Sequence, residues 1–492
     1  VDELCARHPD RRLLVDLRSG RTVTFGELPG LSGGLASALP VGSSRVLLRF
    51  RSPFLFTIAY LALFRCGATI IPVSPALPAD ALERITAVAH ADCLLTDLPT
   101  AEPGCRVRRL TEADLRPGPG PVLPVPLDET GVVLFTSGTT GRPKGVRLSA
   151  RSLIDNAGDV AAAAGINSSR LLGILPPHHT NGQVFNILIP LLTGSTVYVG
   201  GDYSLTALAG FWSVIAGHRI EYVDLVPTVM LTLLALPPEH PPDTSSLRYV
   251  ICGAAPIPAE TLAEFERRFA VRVLQEYGLT EATCVSAMET PQHRRPGTVG
   301  RPLPGTRIEI RDPAGRPLAP GERGAIWLRG GALMQGYVGD TGDTRGYGLP
   351  VVDGWLGTGD IGSFDQDGFL TISGRAKDVI IKGGENIQPE DVERVAHRHP
   401  GIADAAAVGR PDPFYGQVVE LFVVWRNRHS DPTTEPAELA DLLQAELPKA
   451  WLPARIHPVA RIPRTPSGKI LRDSLTAETD TDTDTDGPER PE

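Results

Sequence analysis

Lysine is scarce in this sequence: of 48 basic side chains only five are lysines, Lys144, Lys377, Lys382, Lys449 and Lys469, and arginine carries the rest. A compact ammonium on a flexible stem differs chemically from a planar guanidinium fork, and four of the five lysines fall in glycine-rich strings, which marks those strings for attention. Six scattered cysteines include no CxxC pair, which excludes a zinc ribbon or a disulfide scaffold and predicts a reducing, cytoplasmic setting. No apolar run reaches the roughly 18 to 20 residues of a membrane span, and residues 1–12 mix charges into the place where a signal peptide carries its apolar core. Excess positive charge is missing as well. The formal charge is -9; residues 476–492 hold seven acidic residues and one Arg, leaving only -3 for the rest. That balance excludes a nucleic-acid footprint. No internal repeat is present.

The remaining composition, 42% apolar and 21% charged over 492 residues, is that of a globular chain with two or more domains. FLFTIAYLALFRC from Phe54 reads as a buried helix between the strand-like RVLLRF, ending at Phe50, and TIIPV, ending at Val73. The Pro/Gly-rich bridge at 116–126 admits neither helix nor inner strand. Beyond it lie VVLFT ending at Thr136, a helix from about Ser149, and further strand-like pieces: LLGIL before Pro176, STVYV ending at Val199, YVDLV ending at Val226 and LRYVIC ending at Cys252. Helices are predicted near 208–216 and 258–269, giving a mixed or parallel sheet covered by helices. From Gly297 to Ile372 the pattern changes to short strands broken by Gly and Pro, including GAIWLRG and GFLTIS. A second domain is expected after Gly374, with helices near 389–397 and 437–447. The tail ETDTDTDTD has nothing to bury and is expected to be disordered.

From Phe135 the chain reads FTSGTTGRPKG. Gly138, Gly141 and Gly145 permit tight turns, Thr136, Ser137, Thr139 and Thr140 offer hydroxyls, and Lys144 a cation, directly after a buried strand. Such a turn makes an anion nest suited to oligophosphate. It is not GxxxxGK[ST], because Gly145 follows Lys144. Downstream, GAAP (Gly253, Ala254, Ala255, Pro256) lets a flat ring lie on the backbone. In QEYGLTE, Tyr277 offers a stacking face, and Thr280 and Glu281 offer oxygens to phosphate and Mg²⁺. TGD supplies Asp360 for ribose hydroxyls, and SGRAKD supplies Arg375 and Lys377. IPRTPSGKILR presents Lys469 on a Pro- and Gly-bounded loop, where an ammonium can neutralise charge building between a carboxylate and an α-phosphate.

Taken in order, FTSGTTGRPKG, YGLTE, TGD, SGRAKD and PRTPSGK resemble the adenylate-forming superfamily of acyl-CoA synthetases, nonribosomal peptide synthetase adenylation domains and luciferases, over roughly Thr22 to Leu475. The resemblance implies an α/β fold. Residues 1–374 would form a large N-terminal domain of two βαβ-type subdomains and a small distorted β-barrel, and residues 375–475 a mobile α+β C-terminal domain, with 476–492 as a disordered tail. It implies that the first string, Thr136 to Lys144, binds the β- and γ-phosphates of ATP. Tyr277, Gly278 and the Gly253–Ala254–Ala255 segment would hold adenine, Thr280 phosphate, Glu281 Mg²⁺, and Asp360 with Arg375 the ribose. Lys469 would catalyse adenylation, and Lys377 would be the hinge about which the C-terminal domain turns for transfer to a thiol.

LPPHHTNGQ, with His179 four residues into it, resembles the acyl-CoA synthetase pattern beside the acyl pocket and thiol tunnel, as do GGENI and GKILR. These point to coenzyme A as acceptor. KAWLP at 449–453 departs from the ligases' usual segment and keeps open the phosphopantetheine of a separate carrier protein. A catalytically silent nucleotide-binding scaffold is the alternative from another class. Acyl-pocket candidates are His179, Asn181, Val184, Phe185, Gly253, Ala254, Gly278, Leu279 and Ala282. Asn181 and Gln183 would recognise a polar substituent or else satisfy a structural carbonyl. Residues 178–185 contain no carboxylate, so a free α-amino acid is disfavoured: its ammonium would be desolvated unpaired. The expected partner is a small carboxylic acid, with no nucleic acid and no membrane span, in a monomer or homodimer.

Overall fold

The computed structural model describes residues 2–39, 45–100, 103–120, 127–136, 144–200, 208–236, 238, 240–338, 349–426, 434–465 and 468–475. Three sheets precede Arg375. The largest has nine strands in the order Arg301–Pro302, Ala287–Met288, Val273–Tyr277, Tyr249–Cys252, Tyr222–Leu225, Arg170–Gly173, Thr196–Val199, Arg12–Asp16 and Thr22–Thr24. Its centre, from Val273–Tyr277 to Arg12–Asp16, is parallel. Strands covered on both faces read as continuous apolar runs, and Thr196–Val199 and Tyr222–Leu225 are buried at every position. Within Tyr222–Leu225 one residue breaks the run, the carboxylate of Asp224.

A second sheet of six strands runs Arg106–Arg109, Cys93–Thr96, Arg45–Arg49, Thr69–Pro72, Thr130–Thr136 and Lys144–Ser149. The helix Pro53–Arg65 lies between two of its strands. Proline at its start needs no backbone partner, the Ser52 side chain caps Leu55 N at 3.2 Å, and residues 54–63 are all buried. The helix Ala150–Ala164 begins in the same way, with Ser149 Oγ accepting from Ser152 N, and ends at Gly165 in the left-handed conformation. Where the Pro/Gly bridge is described, it crosses the helix Leu28–Ser37, with Gly118 N donating to Gly30 O at 3.0 Å.

The third sheet, after Gly297, is antiparallel: Thr306–Arg311, Gly324–Gly330 and Trp355–Phe364, with Val351–Val352 and Leu370–Arg375 both paired to the last. The expected barrel is therefore a five-stranded sheet, and among the described residues no ladder closes it. Beyond it, a fourth sheet pairs Ile402–Asp412 with Gly416–Trp425 over ten residues, flanked by Ile380–Lys382, Glu385–Ile387 and Arg455–Pro458. The helices Pro389–Ala396 and Thr434–Glu446 close its own core around Val392, Leu421, Leu439 and Leu443. Two charge contacts reach back from this unit, Arg323 to Asp391 at 2.7 Å and Arg426 to Glu264 at 3.9 Å. Among the described residues no helix is long and apolar enough to cross a membrane. The acidic tail lies outside the described residues.

Candidate active site

Neighbouring strands Tyr249–Cys252 and Val273–Tyr277 end side by side, and ligands in open α/β sheets bind beyond the carboxyl ends of such strands. On one side of this edge Tyr277 Oη donates to Asp360 Oδ2 at 2.7 Å, and Arg375 Nε donates to Asp360 Oδ1 at 2.9 Å. Asp360 and Arg375 face each other on adjacent strands, so the ladder itself sets their spacing. Thr358 Oγ1 accepts from Asp360 N at 3.0 Å and donates to Ile326 O, which fixes the turn that presents the carboxylate. Burial and the adjacent Asp360 carboxylate hold the Tyr277 phenol well above its ordinary pKa, so it stays a neutral donor.

Thr280 and Glu281 lie in the short helical turn Thr280–Ala282. Tyr337 Oη donates to Glu281 Oε1 at 3.0 Å, and Met334 N donates to Glu281 O at 2.8 Å. Thr136 and Lys144 face each other at the loop end of a hairpin. The loop between them, with Ser137, Gly138, Thr139, Thr140 and Gly141, lies outside the described residues.

Lys469 comes from the opposite end of the sequence. Its turn is tied by Gly468 N to Thr465 O at 2.9 Å, Thr465 N to Lys469 O at 2.8 Å and Lys469 N to Thr465 Oγ1 at 3.1 Å. Arg464 clamps it, donating to Gly468 O and to Asp404 Oδ1, while Arg472 engages Glu390 and Glu393. Gly468 has φ +92°, and a Cβ there would lie 3.3 Å from Thr228 and 3.6 Å from the Ala255 side chain. Only glycine sits easily in that conformation, and its lack of a side chain lets the turn press against the GAAP segment. Lys469 is open to solvent at its surface but stands in a cleft: desolvation, Arg375 and Lys377 lower its pKa, while Asp360 and Glu281 oppose them. Those four charges are the residues named for nucleotide, metal and hinge. Lys377 itself is exposed on the turn Ala376–Asp378, 4.0 Å from Asp378.

His179 is exposed to the same cleft. Desolvation, then the charge of Lys469, depress its pKa, keeping the ring neutral. Among the other acyl-pocket candidates, Val184 and Phe185 are core residues, and Leu279 packs with Ala282 in the apolar cluster of the antiparallel sheet. Gln183 accepts from Tyr60 Oη at 3.0 Å, a structural use of its carbonyl. Asn181 Nδ2 donates instead to Glu276 Oε1 at 3.0 Å, and Asn181 Oδ1 accepts from Cys284.

Glu276 is the residue the sequence reading missed, together with Asp224. Successive strand residues point to opposite faces, so Tyr277 turns to Asp360 and Glu276 turns the other way. Its carboxylate lies over Gly253, where a Cβ would come within 2.4 Å of Glu276 Cγ and 2.8 Å of Oε1. Asp224, two strands away, feels the charge of Glu276, and both are almost fully buried. Burial pushes both carboxyls up, Glu276 to about 8 against the hydrogen bond from Asn181, and at Asp224 the charge of Glu276 adds to the effect of burial. The only sign in the sequence is a carboxylate within each of two buried strand segments, YVDL and VLQEY. In the unfolded chain Glu276 ionises near its ordinary 4.5, so between that value and 8 the folded protein keeps a proton the unfolded chain has released, and stability falls as pH rises. Glu276→Gln, which still accepts from Asn181, is therefore expected to raise the melting temperature, by a few degrees at pH 8 and less at pH 5. Thermal unfolding at both values checks this.

The family of AMP-binding enzymes matches residues 1–338, and its C-terminal domain matches residues 391–469. The chain belongs to this adenylate-forming family. Among its similar relatives are a sulfoacetate–CoA ligase of Cupriavidus necator, 34% identical over 96% of this chain and 95% of that protein, and a fatty acid–[acyl-carrier-protein] ligase of Streptomyces coeruleorubidus, 32% identical over 93% and 92%. A solved family member, the o-succinylbenzoate CoA synthetase of Bacillus subtilis in complex with its acyl-adenylate intermediate, superposes with a TM-score of 0.82 at 26% identity, covering 100% of this chain and 98% of that one.

Proposed function

We propose that this protein activates a carboxylic acid with ATP, forming an acyl-adenylate and pyrophosphate, and then transfers the acyl group to the thiol of coenzyme A. The observation that carries this reading is Lys469, delivered by a C-terminal turn into a cleft charged by Asp360, Glu281 and Arg375 and faced by His179. Asp360, braced by Tyr277 and Arg375, binds the ribose hydroxyls; Tyr277, Gly278 and the segment from Gly253 to Ala255 receive adenine. Thr136, Ser137, Gly138, Thr139, Thr140, Gly141 and Lys144 grip the outer phosphates, and Thr280 the α-phosphate. Among the described residues no group of three or more His, Cys, Asp or Glu makes a metal cage. A lone carboxylate beside a phosphate site suits Mg²⁺, which is usually held by one or two carboxylates plus phosphates and water. Glu281 would hold it, and the ion supplies charge neutralisation on the phosphates.

A carboxylate cannot be displaced by a thiol directly, because its leaving group is too basic. Its oxygen attacks the α-phosphorus, the bond to the bridging oxygen breaks, and pyrophosphate leaves. Lys469 neutralises the charge that builds between carboxylate and phosphate. The thiolate then attacks the acyl carbon and expels AMP. Neutral His179 stands where acyl group and thiol meet. Residues 375–475 act as a mobile domain hinged at Lys377, which withdraws Lys469 before the second step. Similarity to a carrier-protein ligase supports a second reading, in which a carrier's phosphopantetheine replaces coenzyme A.

A panel of acids tested for exchange of labelled pyrophosphate into ATP decides the first half-reaction. Exchange is expected with some acid and none without acid; its absence with every acid would refute the reading. Thioester formation with coenzyme A against holo carrier proteins then separates the acceptors.

A further inference from the structure

On one side of the Gly253 backbone lies the proposed nucleotide site, and on the other lies a buried pair of carboxylates that nothing in the adenylation chemistry requires. Asp224 is 4% exposed and Glu276 6% exposed. Among the described residues Asp224 Oδ1, Asp224 Oδ2 and Glu276 Oε2 have no hydrogen-bond partner. Asn181 Nδ2 donates to Glu276 Oε1, its Oδ1 accepts from Cys284, and the same amide lies near enough to Asp224 to favour its ionised form without removing the effect of burial. Among the described residues no cation acts on either group, and the thiols Cys252 and Cys284 feel the charge of the pair. Asp224 also borders, with Phe185 and Asn186, an interior space of about 10 Å³, room for one water-sized group.

Such an arrangement is costly in the free protein, since buried carboxylates without partners lose their hydration. Sequence and backbone nevertheless make room for it, because Gly253 has no side chain to displace Glu276. The acid-bearing side of the strand end also adjoins the helical turn Thr180–Gln183, which follows His179 directly and supplies Asn181.

Resting on the proposed acid activation and naming its substrate class, we infer that the carboxylic acid carries an amino group, whose ammonium is received between Asp224 and Glu276. The fit is one of number and charge. An ammonium brings three N–H donors, and three carboxylate oxygens of the pair lack partners. The ammonium's charge also offsets the repulsion between two carboxylates that have no cation among the described groups acting on them. An acid with a second anionic group at this position would meet like charge in a desolvated site, and an alkyl group would leave the carboxylates unpaired. Sites built to bond a polar group reject analogues lacking it far more strongly than apolar pockets discriminate by size.

The test compares acids of matched length that carry, at positions 2, 3, 4 or terminal, an amino group, a methyl group or a second carboxylate, by pyrophosphate exchange. At least one amino acid is expected to exceed its methyl counterpart by about 100-fold or more in kcat/KM. Glu276→Gln and Asp224→Asn should each shrink that ratio at least tenfold, and the same amino acid should raise the melting temperature of the wild type more than that of either variant. Both substitutions conserve shape. If neutral or dianionic acids are activated better than every amino acid, or if neither substitution moves the ratio, the subsite is refuted while the adenylation reading stands. If no acid of any charge supports exchange, both fall.

Discussion

Lys469→Ala is expected to lower kcat/KM for acid-dependent pyrophosphate exchange by about 10²- to 10³-fold, the loss typical of removing one charge-stabilising donor from a transition state. The fold should not suffer. Among the described residues the Lys469 side chain makes no hydrogen bond or ion pair, while the turn that carries it is held by Arg464 on Asp404 and by Arg472 on Glu390 and Glu393. Its neighbours Asp360 and Glu281 pull its proton inward, whereas desolvation and Arg375 push it off. The ammonium is thus under-compensated until a triphosphate and a carboxylate arrive. Since the second half-reaction expels AMP from the acyl carbon, the variant supplied with preformed acyl-adenylate should still form thioester at near the wild-type rate. Equal loss in both half-reactions would mean that the lysine holds the cleft together rather than acting on the α-phosphate. Melting temperature, exchange and single-turnover thioester formation distinguish the two.

Asp360→Ala is expected to reduce kcat/KM for ATP by about 10²- to 10⁴-fold, through KM more than kcat, because two charge-assisted bonds to a ribose are each worth about 1.5–3 kcal/mol. The substitution also leaves Tyr277 and Arg375 facing each other without their common acceptor. Arg375 is partly exposed, so water compensates some of that loss, and the cost to stability should stay at about 1–2 kcal/mol. Asp360→Asn, which retains one acceptor, should recover part of the affinity. Titration of nucleotide binding by calorimetry, alongside unfolding curves, checks both components. Loss of stability with unchanged nucleotide affinity would assign Asp360 to the ladder alone.

Much of this site was legible because its motifs lie at strand ends. TGD and SGRAKD form the facing pair Asp360 and Arg375 on two adjacent strands, and FTSGTTGRPKG begins and ends on a hairpin. The helix around Phe54 and the strands ending near Val199 and Cys252 were legible for the same reason: apolar runs and turn residues are local signals. Contacts between distant segments were not. Nothing local in RTPSGK announces that Gly468 packs on Thr228 and Ala255, because that contact depends on where a separate sheet lies. Asp224 escaped attention as one polar interruption in an apolar strand and Glu276 as one of two adjacent polar residues, Gln275 and Glu276, near a strand end, and only the strand order brings them together. The absence of a carboxylate from 178–185 argued against an ammonium only on the assumption that its partner must come from that segment. The barrel expected from the resemblance met a different limit, since short glycine-broken strands set an antiparallel sheet without dictating its closure.

Chemistry at the α-phosphorus is the claim on which the rest depends, and oxygen labelling tests it without reference to any side chain. With the acid selected by exchange and both its carboxylate oxygens replaced by ¹⁸O, a complete turnover should yield AMP carrying one ¹⁸O and pyrophosphate carrying none. Label appearing in inorganic phosphate with release of ADP, or AMP formed free of label, would contradict the account.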